Sequence, residues 1–416
     1  MSVNPFRTAT GLFRIADYRR LWVAGALTGI TRWLEFIALG IYAYELTHSP
    51  PLVALLAVIR MAPYALLGFF IGALADRFDR RLLLIAASAF LTVTMATMAA
   101  LTTAGIATYP MVAVATFISG LFWTIDMPVR RRLVADRAGE GNIAAALGLD
   151  NATTYATRAL GPLIGGATYQ FLGMEGIYAL IALAYATCFK MAIGLTRDLP
   201  DETDAASAGK GLLAALAIPH ELIFNRRFAI IMGITLVHNV CSFPFLTMVP
   251  VISQKDFQLA PVLVGFMSSL EGFGGTIGAI LVGIIGSERT LFRFYYWGPA
   301  AMMILILLLS FHLELATAVP ALLAMGCAVA AFTATQYALV HVSAPPHVRG
   351  RATGVLSIFI GSSMFGHYLA GQLFGAYPSP VAMRILACGG LVAMAVLGLL
   401  WLTSTRPATR PHPETH

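Results

Sequence analysis

The sequence predicts an all-α polytopic membrane protein with twelve transmembrane helices in two pseudo-symmetric six-helix halves. Of its 416 residues, 58% are hydrophobic and only 11% are charged, about half the charged fraction of a soluble domain. Apolar runs of about 20 residues, the length that crosses a hydrocarbon core of roughly 30 Å, recur along the chain. A polar stretch of roughly 30 residues near the middle separates two sets of these runs, as a linker would.

The apolar runs define the elements in chain order. Many contain Gly or Pro, which transmembrane helices tolerate when neighbouring helices satisfy the freed backbone groups. All four cysteines lie inside these runs and are interpreted as small packing residues, so neither a disulfide framework nor a metal site is expected. Numbered from the N-terminus, the predicted spans 1 to 12 are approximately 20–45, 52–75, 82–104, 109–129, 143–172, 175–195, 228–253, 260–286, 291–312, 316–341, 352–376 and 381–403.

The long polar stretch sets the domain organisation. The linker begins with acidic residues and ends with basic ones, and every other loop is short. The loops at 72–77 and 128–142 recur in weaker form about half a chain later, at 283–289 and 345–354. Repeated halves are a common construction of secondary transporters. The predicted units are an N-terminal half 1–197, a cytoplasmic linker 198–227, a C-terminal half 228–405 and a cytoplasmic tail 406–416.

The distribution of basic residues predicts the orientation in the membrane. The 27 Lys and Arg residues concentrate in the tails, in the linker and in the loops after spans 2, 4, 8 and 10. By the positive-inside rule, both termini then lie in the cytoplasm. The net charge of +7 is explained by this topology and is no evidence for a nucleic-acid partner. The first apolar run is too long for a cleavable signal peptide and is expected to remain as span 1. With its twelve spans, the chain is expected to be multi-pass in a bacterial cytoplasmic (inner) membrane.

The loop between spans 2 and 3 carries the most specific motif, Gly72-Ala-Leu-Ala-Asp76-Arg77-Phe-Asp79-Arg80-Arg81. It resembles the loop joining the second and third helices of the major facilitator superfamily, whose pattern is roughly G-x-L-A-D-R-x-G-R-R. Here Asp79 replaces the second glycine and leaves the charge pattern intact. The resemblance implies an inner gate latch in which Asp76 faces the positive N-terminal end of span 11. The residues assigned to this gate are Gly72, Asp76, Arg77, Arg80, Arg81, Arg130, Arg349 and Arg351.

Span 5 carries a second motif, in which Arg158 precedes Gly161-Pro162-Leu-Ile-Gly165-Gly166. Proline kinks a helix and glycines let another helix approach closely. The segment resembles in part the glycine-proline motif of proton-coupled efflux members of the superfamily, from which Thr157 departs. The stretches 126–142 and 347–354 resemble the branch of the enterobactin exporter and related bacterial multidrug efflux proteins. Arg158 could bind an anionic substrate or pair with Glu35 or Asp126.

Ionisable side chains inside a bilayer are costly and are candidate functional groups. Arg32 and Glu35 are three residues apart and share one face of span 1. Glu35 is either a proton carrier that responds to Arg32 or half of a permanent ion pair that fixes helix packing. Asp126, near the cytoplasmic end of span 4, is expected to pair with the cluster Arg130–Arg132 in a gate, and a role as substrate ligand is the alternative.

The C-terminal spans hold fewer candidates. Glu271 in span 8 is a second protonation candidate. His238 and Gln336 lie at plausible cavity depth, where an ordinary interhelical hydrogen bond is the simpler explanation. His367 has the same default, with a pH-switch role as the alternative. Three cations near the faces, Arg60, Lys190 and Arg384, are expected to extend toward the interface.

The resemblance implies a transporter that works by alternating access, with spans 1, 4, 7 and 10 around the cavity. The predicted function is proton-coupled export of a small amphipathic compound, drug-like or siderophore-like. Its expected partners are that substrate, protons and membrane lipids, the proton gradient is its energy source in place of a cofactor, and a monomer is expected. The sequence shows no phosphate-binding loop and no catalytic cluster, so no enzyme is predicted. Metabolite uptake or facilitated diffusion, lipid or lysolipid flipping, and a polytopic membrane enzyme or sensor are the alternatives.

Overall fold

The computed structural model describes residues 11–77, 79–196, 220–287 and 290–404, and for residues 68–77, 140, 223, 346 and 404 it describes the backbone alone. The described residues are mostly helical and contain no strand. They include eleven helical stretches that are long enough and apolar enough to cross a membrane, with Ile143–Ile193, Arg226–Lys255 and Arg349–Ala376 counted as one stretch each. The chain is therefore a multi-pass, all-helical membrane protein, as the composition predicts.

The helices coincide with the predicted spans. Many of them run a few residues past the predicted ends, because helices extend beyond the hydrocarbon core. The bounds are Ala16–Thr47, Pro50–Arg77, Arg80–Thr103, Tyr109–Ala138, Ile143–Ile193, Arg226–Val237, Phe245–Lys255, Pro261–Ile285, Leu291–Leu309, Leu315–Ser343, Arg349–Gly361, Ser363–Ala376 and Ser379–Ser404, with a one-turn helix at His220–Ile223.

The predicted spans 5 and 6 form the range Ile143–Ile193, which is interrupted at Gly173. Gly173 has φ 63° and ψ −170°, a conformation that glycine adopts and that strains residues with a Cβ. At 1.5 Å per residue an unbroken helix of this length would be about twice as long as a bilayer is thick. The break lies between the predicted ends of the two spans.

Two spans are irregular in ways that the sequence analysis did not anticipate. Span 7 consists of Arg226–Val237, a π-helical turn at His238–Ser242 and Phe245–Lys255. Pro244 lies two residues after this turn and cannot donate a backbone hydrogen bond, so the helix cannot continue regularly there. Span 11 is divided at Ser362 between its two helices.

The N-terminal and C-terminal helices meet through close backbone approaches. A Cβ placed on Gly166 of span 5 would overlap the carbonyl oxygen of Pro261, and one on Gly265 of span 8 would overlap that of Pro162. Span 2 meets span 11 in the same way, because a Cβ on Gly371 would overlap the side chain of Ala54. Small residues at such crossings let helices pack by van der Waals contact in a medium with no hydrophobic driving force.

The loop after span 2 is only partly described. The side chains of Asp76 and Arg77 and the surroundings of Gly72 lie outside the described part of the structure, so the gate latch stays a prediction. Asp79, at the position of the second glycine, caps the following helix by accepting bonds from the backbone N–H of Arg81 (2.9 Å) and Leu82 (3.4 Å). An N-cap carboxylate satisfies orphan donors at a helix start, which is a physical reason for an acid at this position.

The other basic residues of the gate motif lie at the same end of the molecule. Arg80 Nη1 lies 3.4 Å from Asp136 at the end of span 4. Arg81 donates to the carbonyl oxygen of Ile193 at 2.6 Å, which ties the start of span 3 to the end of span 6. Arg349 and Arg351 are exposed at the start of span 11.

Candidate functional site

A cleft opens among the N-terminal spans. Its walls come from spans 1, 2, 4, 5 and 6, and they combine charged groups with aromatic rings. Four arginines and one aspartate line it, together with Trp33, Phe122, Trp123 and Tyr185. The charged lining residues are Arg32, Arg60, Asp126, Arg130 and Arg131.

Glu35 lies directly behind the cleft wall, where it contacts the lining residues Arg60 and Ser119. Glu35 Oε2 is 3.1 Å from Arg60 Nη2 and accepts a hydrogen bond from Ser119 Oγ at 2.7 Å. The side chains of Glu35 and Arg60 are 1% and 4% exposed. The expectation that Arg60 extends toward the interface is therefore wrong, because its guanidinium is held by a buried carboxylate. The expected permanent pair between Arg32 and Glu35 is likewise not formed, because Glu35 pairs with Arg60.

Arg32 instead lies against aromatic rings. Its guanidinium carbon is 3.8 Å from the ring centre of Trp123 and 5.2 Å from that of Trp33. A cation over an indole face is attracted by the ring quadrupole. Within the described part of the chain no carboxylate forms an ion pair with Arg32. Arg32 therefore contacts aromatic rings of spans 1 and 4, and it does not pair with Glu35 on its own helix.

Asp126 pairs with the basic cluster after span 4, as the sequence analysis expected. Its Oδ2 lies 3.3 Å from Arg130 Nε, and both side chains are 8% exposed. Arg130 also binds Asp150 at 2.5 Å, and Arg131 binds the other oxygen of Asp150 at 3.0 Å. The sequence analysis missed Asp150. The available signal was an acid near the start of span 5 that follows a loop of arginines.

Arg158 binds Glu271 through two hydrogen bonds. Nε donates to Oε2 at 2.7 Å and Nη2 donates to Oε1 at 2.6 Å. The side chains are 14% and 6% exposed, and the guanidinium carbon of Arg158 lies 4.9 Å from the ring centre of Trp33. The bidentate geometry is the strong form of an arginine–carboxylate pair. It joins span 5 to span 8, so Arg158 pairs with neither of the acids that the sequence analysis considered.

The motif glycines of span 5 explain how this pair is brought together. A Cβ on Gly161 would lie 2.6 Å from Trp33 Cβ, and one on Gly165 would lie 2.9 Å from the carbonyl oxygen of Leu34. Span 5 therefore touches span 1 on one side, while Gly166 touches span 8 on the other. A larger residue at Gly166 would force span 5 away from span 8, the two helices that Arg158 and Glu271 join.

The polar groups of the C-terminal spans other than Glu271 are neutral or form local contacts. His238 Nδ1 lies 2.8 Å from Ser242 Oγ within the π turn, and its ring centre is 4.2 Å from that of Phe332. His367 Nδ1 lies 2.9 Å from Thr247 Oγ1. The contact of His367 is an interhelical hydrogen bond between spans 11 and 7, as the simpler interpretation expects, whereas that of His238 stays within span 7. Gln336 is 5% exposed, and its Nε2 has no hydrogen-bond partner in the described residues.

The remaining two membrane cations lie away from the cleft. Arg384 donates to the carbonyl oxygen of Ser310 at 3.1 Å, and its guanidinium carbon lies 4.6 Å from the ring centre of Phe311. Lys190 is exposed. No group of three or more His, Cys, Asp or Glu that could hold a metal ion occurs among the described residues.

The opposite end of the molecule is closed by contacts that the sequence analysis did not foresee. Glu45, at the end of span 1, accepts a hydrogen bond from the hydroxyl of Tyr169 at 2.5 Å and one from Gln254 Nε2 at 3.3 Å. Gln170 accepts from the backbone N–H of Val262 at 3.1 Å. Spans 1, 5, 7 and 8 thus meet at this end, whereas Arg131 and Tyr337 are partly exposed or exposed at the other.

The fold and the cleft define a class of protein. It is a multi-pass helical membrane protein with a cleft between packed helices that is lined by charged side chains. Residues 21–366 match the model of the Major Facilitator Superfamily, and the chain belongs to this family of transporters. The family membership confirms the prediction of a transporter and not an enzyme.

Known relatives and a solved structure agree with this assignment. The chain is 21% identical over 286 residues to the staphyloferrin A transporter of Staphylococcus aureus, covering 67% of this chain and 70% of the relative. It is 20% identical over 272 residues to macrolide efflux protein A of Streptococcus pyogenes, covering 65% and 66%. The crystal structure of a mutant of the nucleoside transporter NupG superimposes with a TM-score of 0.75 at 12% identity, covering 94% of this chain and 100% of that chain.

Proposed function

We propose that this chain is a proton-coupled exporter of a small amphipathic compound in a bacterial cytoplasmic membrane. The proposal includes twelve crossings in two six-helix halves, both termini in the cytoplasm, and a monomer among membrane lipids. The single observation that supports coupling most is the buried pair Glu35–Arg60 at the cleft wall. A carboxylate buried inside a membrane protein is energetically costly, so an acid in this place is a candidate proton carrier.

The coupling step follows from the contacts of Glu35. A proton on this carboxylate removes the attraction to Arg60, because the pair depends on opposite charges. Arg60 already has one unpaired atom, Nη1, so the loss of Glu35 would leave its guanidinium with the carbonyl oxygen of Arg32 as its remaining protein partner in the described structure. Protonation of Glu35 thus changes the charge environment of a guanidinium that lines the cleft, and with it the affinity of the cleft for substrate. Such differential affinity is what alternating access requires.

Arg158 and Glu271 are proposed as a second coupled pair at the moving interface. They join span 5 to span 8, so a separation of the two sets of helices must break or re-form them. The loop at 72–81 is proposed as the inner latch, with Asp76 facing the start of span 11 near Arg351. If the arginine-rich loops lie in the cytoplasm, the described structure is open inward and closed outward at Glu45.

Two observations support export as the direction. The name of one relative states efflux of macrolides, and the partial motif Gly161–Gly166 resembles that of efflux members. A relationship to the enterobactin exporter branch is part of the proposal and rests on the stretches 126–142 and 347–354. Uptake or facilitated diffusion is the competing function, because the other relative is named for transport alone.

Replacement of Glu35 by Gln tests the coupling. We expect Glu35→Gln to abolish pH-gradient-dependent transport, because the amide keeps the hydrogen-bonding shape but cannot carry the proton. The assay measures collapse of an imposed pH gradient in inverted vesicles on addition of staphyloferrin A or a macrolide. Glu175→Gln is the matched control, since Glu175 is an exposed acid outside the cleft.

Retention of gradient-dependent transport by Glu35→Gln, with expression equal to wild type, would remove Glu35 as the coupling residue. Direction is read from the same compounds in right-side-out vesicles. Export predicts accumulation in inverted vesicles driven by a pH gradient that is acidic inside. Accumulation in right-side-out vesicles alone would establish uptake instead.

A further inference from the structure

The cleft contains more positive than negative charge. Four guanidinium groups line it, at Arg32, Arg60, Arg130 and Arg131. Three carboxylates contact them: Glu35 binds Arg60, Asp126 binds Arg130, and Asp150 binds Arg130 and Arg131. Within the described residues one positive charge is therefore left without a carboxylate. That charge belongs to Arg32.

An unpaired cation in this position is energetically unusual. A charged group inside a membrane protein is expected to be paired or to face a water-filled path, because removal from water is costly. The guanidinium of Arg32 lies against aromatic faces, at 3.8 Å from Trp123 and 5.2 Å from Trp33. These contacts stabilise the cation but leave the in-plane N–H groups of the guanidinium available to an anion.

A second, independent feature indicates the same ligand chemistry. Arg60 is 4% exposed, and its Nη1 has no hydrogen-bond partner among the described residues. Its Nη2 donates to the carbonyl oxygen of Arg32 at 3.3 Å, so the two arginines are neighbours in the cleft wall. A buried N–H without an acceptor is a cost that an oxygen of a bound ligand would relieve.

The rings around these arginines restrict the ligand further. Trp123 stacks on Tyr64 with ring centres 5.3 Å apart and an interplanar angle of 25°. The ring centre of Trp33 lies 5.2 Å from the guanidinium carbon of Arg32 and 4.9 Å from that of Arg158. The wall thus combines aromatic side chains with guanidinium donors. Such a wall fits an organic molecule that carries a carboxylate or a similar acidic group next to an apolar part.

We propose that the substrate class of this cleft is organic anions with an apolar part, bound by the free edges of Arg32 and Arg60 beside Trp33 and Trp123. The inference rests on the proposed transport function and specifies its substrate. It predicts that the cleft favours an anion over a neutral molecule of the same shape, and the neutral molecule over a cation. The acid that lines the cleft, Asp126, does not reverse this order because Arg130 neutralises it.

Three indole compounds of similar size and different charge test the proposal: indole-3-acetate, indole-3-acetamide and tryptamine. Isothermal titration of the full chain in detergent, against protein-free micelles, measures each dissociation constant. For wild type we expect the acetate to bind at least about tenfold more tightly than the acetamide, the difference that one charge-assisted hydrogen bond supplies. Tryptamine is expected to bind most weakly.

Substitutions assign the preference to Arg32. Arg32→Gln is expected to bring the acetate-to-acetamide ratio to about one, because the acetate loses a charge attraction that the acetamide never had, and Arg32→Lys is expected to keep part of the preference. Arg384→Gln, which removes an arginine bound to Ser310 away from the cleft, is expected to leave the ratio as in wild type. The acetamide reports whether each variant retains a folded cleft.

Equal binding of the acetate and the acetamide by wild type would overturn the proposal, and so would an absence of binding by all three compounds. Retention of the full ratio in Arg32→Gln would overturn the assignment to Arg32. These outcomes are independent of coupling, because the titration contains no pH gradient. Loss of transport in vesicles with a normal acetate preference would count against the proposed transport mechanism and not against the anion site.

Discussion

The helices before the central linker and those after it have different interiors. The N-terminal helices hold Arg32, Glu35, Arg60, Asp126 and Arg130 around one cleft, and all of these except Arg32 are paired inside that same set of helices. In the C-terminal helices, Glu271 has a partner in span 5, and His238 and His367 form hydrogen bonds with hydroxyl groups of that same set. The difference indicates that charge recognition is concentrated in the N-terminal set, while the C-terminal set supplies a neutral wall and one ionic contact.

The ionic contact between the two sets gives the largest expected effect. Arg158→Leu should lower the free energy of unfolding by about 3–5 kcal/mol, because it leaves the buried Glu271 without a partner. The double variant Arg158→Leu with Glu271→Leu should recover most of this loss, since it leaves no unpaired charge. Denaturation of the purified protein in mixed micelles measures both. If the double variant is as unstable as the single one, the pair is not the source of the effect.

The glycine crossing between the same two spans gives an intermediate effect. Gly265→Ala should cost about 1–3 kcal/mol, because the new methyl group would meet the carbonyl oxygen of Pro162 and force the helices apart. Gly283→Ala is the control in the same helix, where no atom lies within 4 Å of the added Cβ. The control should be neutral or slightly stabilising, since Ala is the better helix former. Equal loss in both variants, measured by thermal unfolding, would refute close packing at Gly265.

Gln336, a buried amide of the C-terminal helices, gives the smallest expected effect on stability. Gln336→Leu should change the free energy of unfolding by no more than about 1 kcal/mol, because the amide already has an unsatisfied donor and its loss removes that cost. The same denaturation assay measures it. A loss comparable to that of Arg158→Leu would show that the C-terminal interior holds a polar network as critical as that of the N-terminal helices.

Much of the helical framework is predictable from hydrophobic length. Predicted span 10, at 316–341, is the helix Leu315–Ser343, and the predicted gap between spans 5 and 6 contains Gly173. The π turn at 238–242 and the division of span 11 at Ser362 were not predicted. Both leave the apolar length of the span unchanged, so hydropathy contains no signal for them.

The candidate site was predictable in composition but not in connectivity. Most of its charged residues stand out as ionisable groups within apolar runs. Spacing along one helix suggested a relation between Arg32 and Glu35, but Glu35 binds Arg60 from span 2. Asp150 was overlooked, although it binds both Arg130 and Arg131. The contacts of Glu45 were not predicted because a polar residue at a helix end is ordinary in sequence.

The sequence by itself determined the helical class, the approximate ends of the spans and the set of charges that the membrane must accommodate. These properties follow from local rules, because each span needs its own apolar length and its own backbone hydrogen bonds. Only the tertiary structure decided which charged side chains form ion pairs with each other. Partners such as Arg158 and Glu271 are 113 residues apart, and their contact depends on where glycines let two helices cross. The cation left over by that pairing, at Arg32, is consequently a property of the fold and not of any local motif.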